Sequence, residues 1–327
     1  MARMASHIVS IWSSRLVSLV MLSIMTVSTF AEEGGSGHYF PGSMSSFMDG
    51  VSATEVFISR LNVIDYGGSF GADRETPIGG LTALDVDVDL RAYGLTFFWR
   101  PSWGGISEKW SFGMSTTIPL LDLTVTGTLS ADGKTIRQSD TDSGLGDVFI
   151  IPAMFNYNVN PDLNANFRVG IYAPTGSYQA GQLANTGKNF WTIEPTAALI
   201  YLGQKNGREA SVFIGIDFNQ ENSDTRYKSG TQAHIDATLA QHLPMWGGLA
   251  GFGISGFWYH QLSGDSGAGA SLGSFKARAN GIGPTVSFSK KLSDHYSFIG
   301  EFKWLHEFSN QRRPEGNTLF LKLMLAH

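Results

Sequence analysis

Asn160-Pro161-Asp162-Leu163-Asn164-Ala165-Asn166-Phe167-Arg168-Val169-Gly170-Ile171-Tyr172 begins with a tight turn and then alternates. Successive side chains of a strand point to opposite faces, so Ala165, Phe167, Val169 and Ile171 form one apolar face. Asn164, Asn166, Arg168 and Tyr172 form the other. A long polar loop runs from Pro174 to Lys188, and a second strand returns through Phe190, Trp191 and Ile193 to Tyr201. The short turn Gly203-Gln204-Lys205-Asn206-Gly207 leads into a third strand, where Val212, Ile214, Ile216 and Phe218 oppose Ser211, Gly215 and Asp217. A long loop at one end, a tight turn at the other and one apolar face throughout are the pattern of a membrane β-barrel.

The rhythm extends in both directions. The pattern predicts strands at about 54–66, 84–99, 107–124, 146–159, 162–173, 189–203, 208–219, 231–243, 249–262, 274–290, 295–307 and 317–326. Their connections alternate long and short without a break, as in up-and-down strands with tight periplasmic turns and long outer loops. A soluble Greek-key sandwich gives no reason for that sorting. The expectation is an all-β transmembrane up-and-down antiparallel β-barrel of about 12 strands over residues 51–327, with both ends of the barrel on the periplasmic side. Trp99, Trp103, Trp110 and Trp246 gather near the short turns, where an indole can bury its ring and still wet its N–H. In the tenth strand the even positions change from polar (Lys276, Arg278, Asn280) to apolar (Ile282, Val286, Phe288), which predicts a bulge near Gly281–Gly283.

Composition narrows the class. The chain of 327 residues has no cysteine, 39 glycines and 12% aromatic residues. Residues 1–31 carry Arg3 and Arg15, then an apolar run from Leu16 to Phe30 ending at Ala31, which reads as a signal peptide preceding the barrel. The run is too short to span a bilayer, and no later stretch approaches the roughly 20 apolar residues of a membrane helix. Without residues 1–31, two of the 23 basic and none of the 28 acidic side chains are lost, leaving a net charge of −7. An acidic chain with no basic cluster argues for no nucleic acid partner. Residues 32–50 are rich in Gly and Ser, without period, and read as a flexible leader or a lumen plug.

Several motifs carry a family resemblance: Gly34-Gly35-Ser36-Gly37-His38-Tyr39-Phe40-Pro41-Gly42, Gly144-Leu145-Gly146-Asp147, Pro174-Thr175-Gly176-Ser177-Tyr178, Asn189-Phe190-Trp191, Asn219-Gln220-Glu221-Asn222, Thr225-Arg226-Tyr227-Lys228-Ser229-Gly230 and Asp265-Ser266-Gly267. Together they cover most of the chain after residue 31, and the chain resembles the MetA-pathway of phenol degradation family. The resemblance implies an outer-membrane barrel linked with uptake of aromatic or other hydrophobic compounds. It carries no catalytic residues onto this sequence.

Candidate chemistry is sparse. Gly264-Asp265-Ser266-Gly267 has the form of a serine-protease nucleophile segment, but Ala268-Gly269 follows it and no histidine segment precedes it. Its glycines read as loop residues. Asp85, Asp87 and Asp89 share one strand face and are candidate cation-binding residues, although Leu90 stands where a calcium loop of the EF-hand type needs glycine. The preferred reading is an acidic, pore-facing strand, with Asp140, Asp142 and Asp147 in a Gly-rich loop. The histidines are scattered, so neither a zinc site nor any cofactor is expected. A charge facing lipid at mid-depth costs about 2–4 kcal/mol, so Arg91, Arg168, Asp236 and Glu301 are predicted to point inward as a mixed-sign belt. Asp217, His234 and Lys303 are expected to line the lumen with them.

The chain therefore reads as an outer-membrane channel of a Gram-negative bacterium, not an enzyme, with outer-membrane lipids and a small hydrophobic or aromatic solute as partners. The alternatives are a structural or adhesive barrel with an occluded lumen, or a barrel-embedded lipid hydrolase.

Overall fold

The computed structural model describes residues 32–52, 54–71, 76–131, 134–271, 273–274 and 276–327. The expected signal peptide over 1–31 lies outside the described residues. Among the described residues fourteen strands follow one another: β1 (Val56–Ser69), β2 (Thr76–Ile78), β3 (Leu81–Arg100), β4 (Trp110–Ala131), β5 (Lys134–Leu145), β6 (Val148–Asn160), β7 (Leu163–Ala173), β8 (Thr192–Leu202), β9 (Arg208–Asn219), β10 (Gln232–Met245), β11 (Gly248–Gln261), β12 (Arg278–Lys291), β13 (Ser297–Gln311) and β14 (Glu315–Ala326).

Twelve of them close an antiparallel barrel. β3 pairs with both β1 and β4, β4 pairs with β6, β6 to β14 pair in succession, and β14 returns to β1. These twelve are the predicted strands. β2 and β5 are additions in connections expected to be loops. β5 pairs with the upper part of β4, from Leu120 to Ala131, so the β4–β5 hairpin stands above the point where β6 joins the wall. Barrel strands need about 9–11 residues to cross the hydrocarbon. β3 and β4, at 20 and 22 residues, continue well beyond it.

Alternation sets the two faces. On β7 the outward Phe167 and Val169 are exposed, while Asn166 and Arg168 are buried inside. Outward Ile193 and Leu199 on β8, Ile214 and Phe218 on β9, Leu239 on β10 and Ile254 on β11 continue the apolar band. Trp99, Trp103, Trp110 and Trp246 are exposed near the short turns. β12 keeps an unbroken register with β11 through residues 281–283, so the predicted bulge is absent there. The register shift lies instead against β13, between Arg278 and Asn280. The polarity change on the even face of β12 follows its passage from wet rim to lipid, with no exchange of faces.

The barrel ends meet at the short-turn side, where Phe57 and His327 exchange backbone hydrogen bonds of 2.8 and 2.9 Å. Residues 32–50 run through the interior from the opposite end. The Glu32 amide donates to Asp265 in an outer loop (2.9 Å), while Phe47, near the other end, donates its amide to Glu209 (2.8 Å). A buried cluster of Tyr39, Met44, Phe213, Phe257, Tyr259, Leu305 and Phe320 joins this segment to the wall.

Candidate functional site

Besides the apolar cluster, the inner segment is held by polar contacts, most of them along one half of the wall. Tyr39 stacks on His234 with ring centroids 3.5 Å apart and donates its hydroxyl to Asp236 (2.6 Å). Asp236 also accepts the Gly42 amide (2.6 Å), and Lys303 donates to the Gly42 carbonyl and the Ser45 hydroxyl, both at 2.6 Å. Asp49 receives Arg60 (2.7 Å) and Lys322 (2.8 Å), and Arg168 donates to the Asp49 carbonyl (2.6 Å). At the outer end Arg313 pairs with Glu32 (3.0 Å), and Tyr259 donates to the same carboxylate (2.6 Å).

The other half of the wall is left open. Between the segment and β1, β3 and β4 lies a cavity of about 320 Å³. Apolar side chains dominate it: Ile64, Leu90, Leu121, Leu123, Phe149 and Phe320 from the wall, with Phe40 from the segment. Barrel interiors are ordinarily polar, so a greasy strip on the lumen side is a specific departure. A cavity of about 70 Å³ lies beyond it toward the outer loops, and one of about 60 Å³ toward the short turns. The large cavity shares Val88 and Leu123 with the outer one, and Arg60, Thr117 and Phe149 with the inner one. The three form one file along the same wall, interrupted below by the Asp49–Arg60 pair.

The outer mouth is tied by loop carboxylates. Asp147 accepts His38 Nε2 (2.9 Å) and the amides of Gly176 (2.9 Å) and Lys188 (2.7 Å). Burial pushes its carboxyl up, but these donors and the imidazole outweigh that and hold it below the usual range. Burial likewise lowers the Lys188 ammonium, against the opposing pull of Glu32. Asp140 and Asp142 accept the amides of Leu183 (2.8 Å) and Thr186 (2.7 Å), so they bind loop backbone. Asp265 of the Gly-Asp-Ser-Gly motif accepts Tyr227, Gln261 and the Gly230 amide as well as that of Glu32, a loop-tying role.

The residues singled out in the sequence divide. Arg168, Asp217, His234, Asp236, Glu301 and Lys303 are all buried inside. Arg168 and Asp236 contact the inner segment and form no belt across water; Glu301 lies 3.6 Å from both Lys303 and Lys322. Arg91 is a correction. Its side chain is 68% exposed on the outward face of β3 and pairs with Asp65 of β1 at 3.0 Å. Arg91 lies nine residues beyond Arg100, where the outward face has left the hydrocarbon for water, so the lipid penalty that was to drive it inward does not act. Asp85, Asp87 and Asp89 are corrected with it. They are not pore-facing: Asp85 and Asp87 bind the two Nη atoms of Arg137 at 2.5 and 2.6 Å, and Asp89 is exposed. The cation at Asp85 and Asp87 is a guanidinium.

Alternation alone places Glu194, between the outward Ile193 and Pro195 of β8, on the inner face, although it stands outside the lumen set named from the sequence. With Asp217 and His234 it forms a buried group whose ligand-type atoms lie within 4.8 Å of one another. Asp49, Arg60 and Lys322 were also missed, because their pairing depends on how residues 32–50 thread the lumen.

Comparison with solved structures supports the architecture. An outer membrane channel from Pseudomonas putida F1 superposes with a TM-score of 0.63 at 14% identity, covering 89% of this chain and all of that one. The transport unit of the autotransporter AIDA-I from Escherichia coli gives 0.51 at 8% identity, covering 86% and 92%. At such identities the likeness is one of fold. No curated protein matches the sequence. Residues 69–323, most of the barrel, match a family by sequence, and this outer-membrane β-barrel belongs to the MetA-pathway of phenol degradation family.

Proposed function

We propose that the protein is an outer-membrane channel for small hydrophobic, in particular aromatic, molecules. The observation that carries this reading is the apolar file along β1, β3 and β4. Its main cavity of about 320 Å³ lies within the 300–1,000 Å³ of small-ligand sites. Leu90, Leu121 and Phe149 offer an aromatic ring dispersion contacts on the side of the lumen where an open porin would offer water. Residues 32–50 act as a plug that fills the polar half and leaves this strip as the passage. The family's description links it with phenol degradation, and a substrate of that kind suits the lining.

Uptake of a labelled one-ring aromatic by a deletion strain tests the reading. Wild-type protein should restore uptake, and Leu121→Arg should abolish it by placing a charge in the strip. Equal uptake by the two would refute it. A second reading, an occluded structural barrel, draws on the many polar contacts that fix the segment. It requires that neither ions nor aromatics cross planar bilayers or liposomes containing the protein.

A further inference from the structure

The plug and the apolar passage leave one buried group unexplained. Glu194, Asp217 and His234 come from adjacent strands, β8, β9 and β10, a short way below the outer rim. None is more than 1% exposed. His234 Nε2 lies 3.5 Å from Glu194 Oε1, and the ligand-type atoms of all three residues fall within 4.8 Å of one another. Glu194 is oriented by Tyr172 and Thr196, whose hydroxyls donate to its two oxygens at 2.9 Å each. Among the described residues, both oxygens of Asp217 and Nε2 of His234 have no hydrogen-bond partner. An unpartnered carboxylate buried away from water is costly.

The imidazole is set up as a ligand. Its Nδ1 is 3.0 Å from Asp236 Oδ2. Asp236 already accepts the Tyr39 hydroxyl and the Gly42 amide, and an ionised carboxylate only accepts. Nδ1 therefore carries a proton, and Nε2, turned toward Glu194 and Asp217, is the nitrogen that can serve as a ligand in the neutral imidazole. A carboxylate behind a histidine is the arrangement that fixes tautomer and ring orientation at metal sites. The wall makes room for it: His234 stands opposite Gly215, where a Cβ would lie 2.1 Å from Nε2.

We propose that Glu194, Asp217 and His234 bind one divalent transition-metal ion between the barrel wall and the inner segment. Two carboxylates and a neutral imidazole carry two negative charges, which such an ion neutralises. One nitrogen and two oxygen donors suit zinc, manganese or ferrous iron. With bonds of about 2.0–2.2 Å, tetrahedral ligand atoms sit roughly 3.3–3.6 Å apart, close to the observed Nε2–Oε1 spacing. Asp217, on the neighbouring strand, closes the remaining distance by a side-chain rotation. A metal on Nε2 makes the Nδ1 proton a stronger donor to Asp236, and Asp236 holds Tyr39 and Gly42. The ion would thus tighten the seat of the plug.

The test uses the full-length protein purified from outer membranes in detergent. After incubation with zinc and removal of excess, the wild type should retain about one zinc per chain. Zinc X-ray absorption should show one imidazole and two carboxylate donors at about 2.0–2.2 Å. Stripping with a chelator should lower the melting temperature and readdition restore it, as expected for a ligand of the folded state. Asp217→Asn and His234→Gln, each confirmed as folded by heat-modifiable electrophoretic mobility, should bind zinc at least tenfold more weakly. The proposal is overturned if the wild type retains no zinc, which would leave the group neutralised by protons. It is also overturned if the absorption spectrum lacks an imidazole donor, or if folded Asp217→Asn retains zinc as the wild type does.

Discussion

Asp49 shows how much one lumen side chain can fix. Its carboxylate accepts Arg60, Lys322 and the Ser45 amide, and Arg168 holds its carbonyl. Removing one partner from a buried ionic group costs about 3–5 kcal/mol, since the remaining charges stay behind uncompensated. Asp49→Asn should therefore loosen the lower end of the inner segment, raise single-channel conductance and shift selectivity toward anions. Arg168→Ala should shift it toward cations. Reversal potentials in planar bilayers under a salt gradient read both, and a wild-type value for each variant would remove this cluster from the permeation path. At this scale the sequence spoke through alternation, which puts Arg168, Asp217, Asp236, Glu301 and Lys303 on the face opposite the apolar residues. Alternation names two faces but not what bathes each. Arg91 and Asp87 share the outward face of β3 with Tyr93 and Leu95, and only their height above the membrane permits a charge there. The partners of Asp49 carry no local signal, as Arg60 and Lys322 reach it only after the segment has threaded the barrel.

Among the elements, the twelve wall strands were legible because each has lipid on one side and a different environment on the other. β5 was not. Lys134-Thr135-Ile136-Arg137-Gln138-Ser139-Asp140-Thr141-Asp142 is polar on both faces, since it stands in water beyond the bilayer, and a strand wet on both sides loses its period of two. β2, only three residues long, was too short to show one. The inner segment had no period for a different reason: its conformation is set by the wall. Gly42 shows this, with φ of +84° and a Cβ position 2.5 Å from the Leu305 side chain. A larger residue would lose both the backbone conformation and the close approach. The segment meets the wall through one apolar cluster and many polar groups that water can resolvate, and the strand hydrogen bonds do not depend on it. Deleting residues 34–50 should leave a folded, heat-modifiable barrel with several-fold higher conductance. Unchanged conductance in such a barrel would mean that the segment does not obstruct the pore.

Across the whole molecule the lumen is asymmetric. β8 to β14 present most of the polar and charged groups that hold the inner segment, while β1, β3 and β4 present Ile64, Leu90, Leu121 and Leu123 to the open file. In the proposed reading, solute passage and most of the plug's attachment fall to different walls, with Arg60 of β1 the exception, and that division can be tested without disturbing the plug. Thr117 lines both the main and the inner cavity, and its hydroxyl pairs with that of Thr96 at 2.7 Å. Thr117→Trp gives up one hydrogen bond, worth about 0.5–1.5 kcal/mol, and extends its ring into existing space, so the barrel should still fold. The indole should stop aromatic solutes where the cavities join, lowering liposome uptake at least tenfold. Placed in the variant lacking residues 34–50, the same substitution should block little, because a lumen without its plug offers other routes past one side chain. Uptake that survives Thr117→Trp in the full-length protein would move the passage to another wall. A block that persists after the deletion would show that the file along β1, β3 and β4 is bounded by something other than the inner segment.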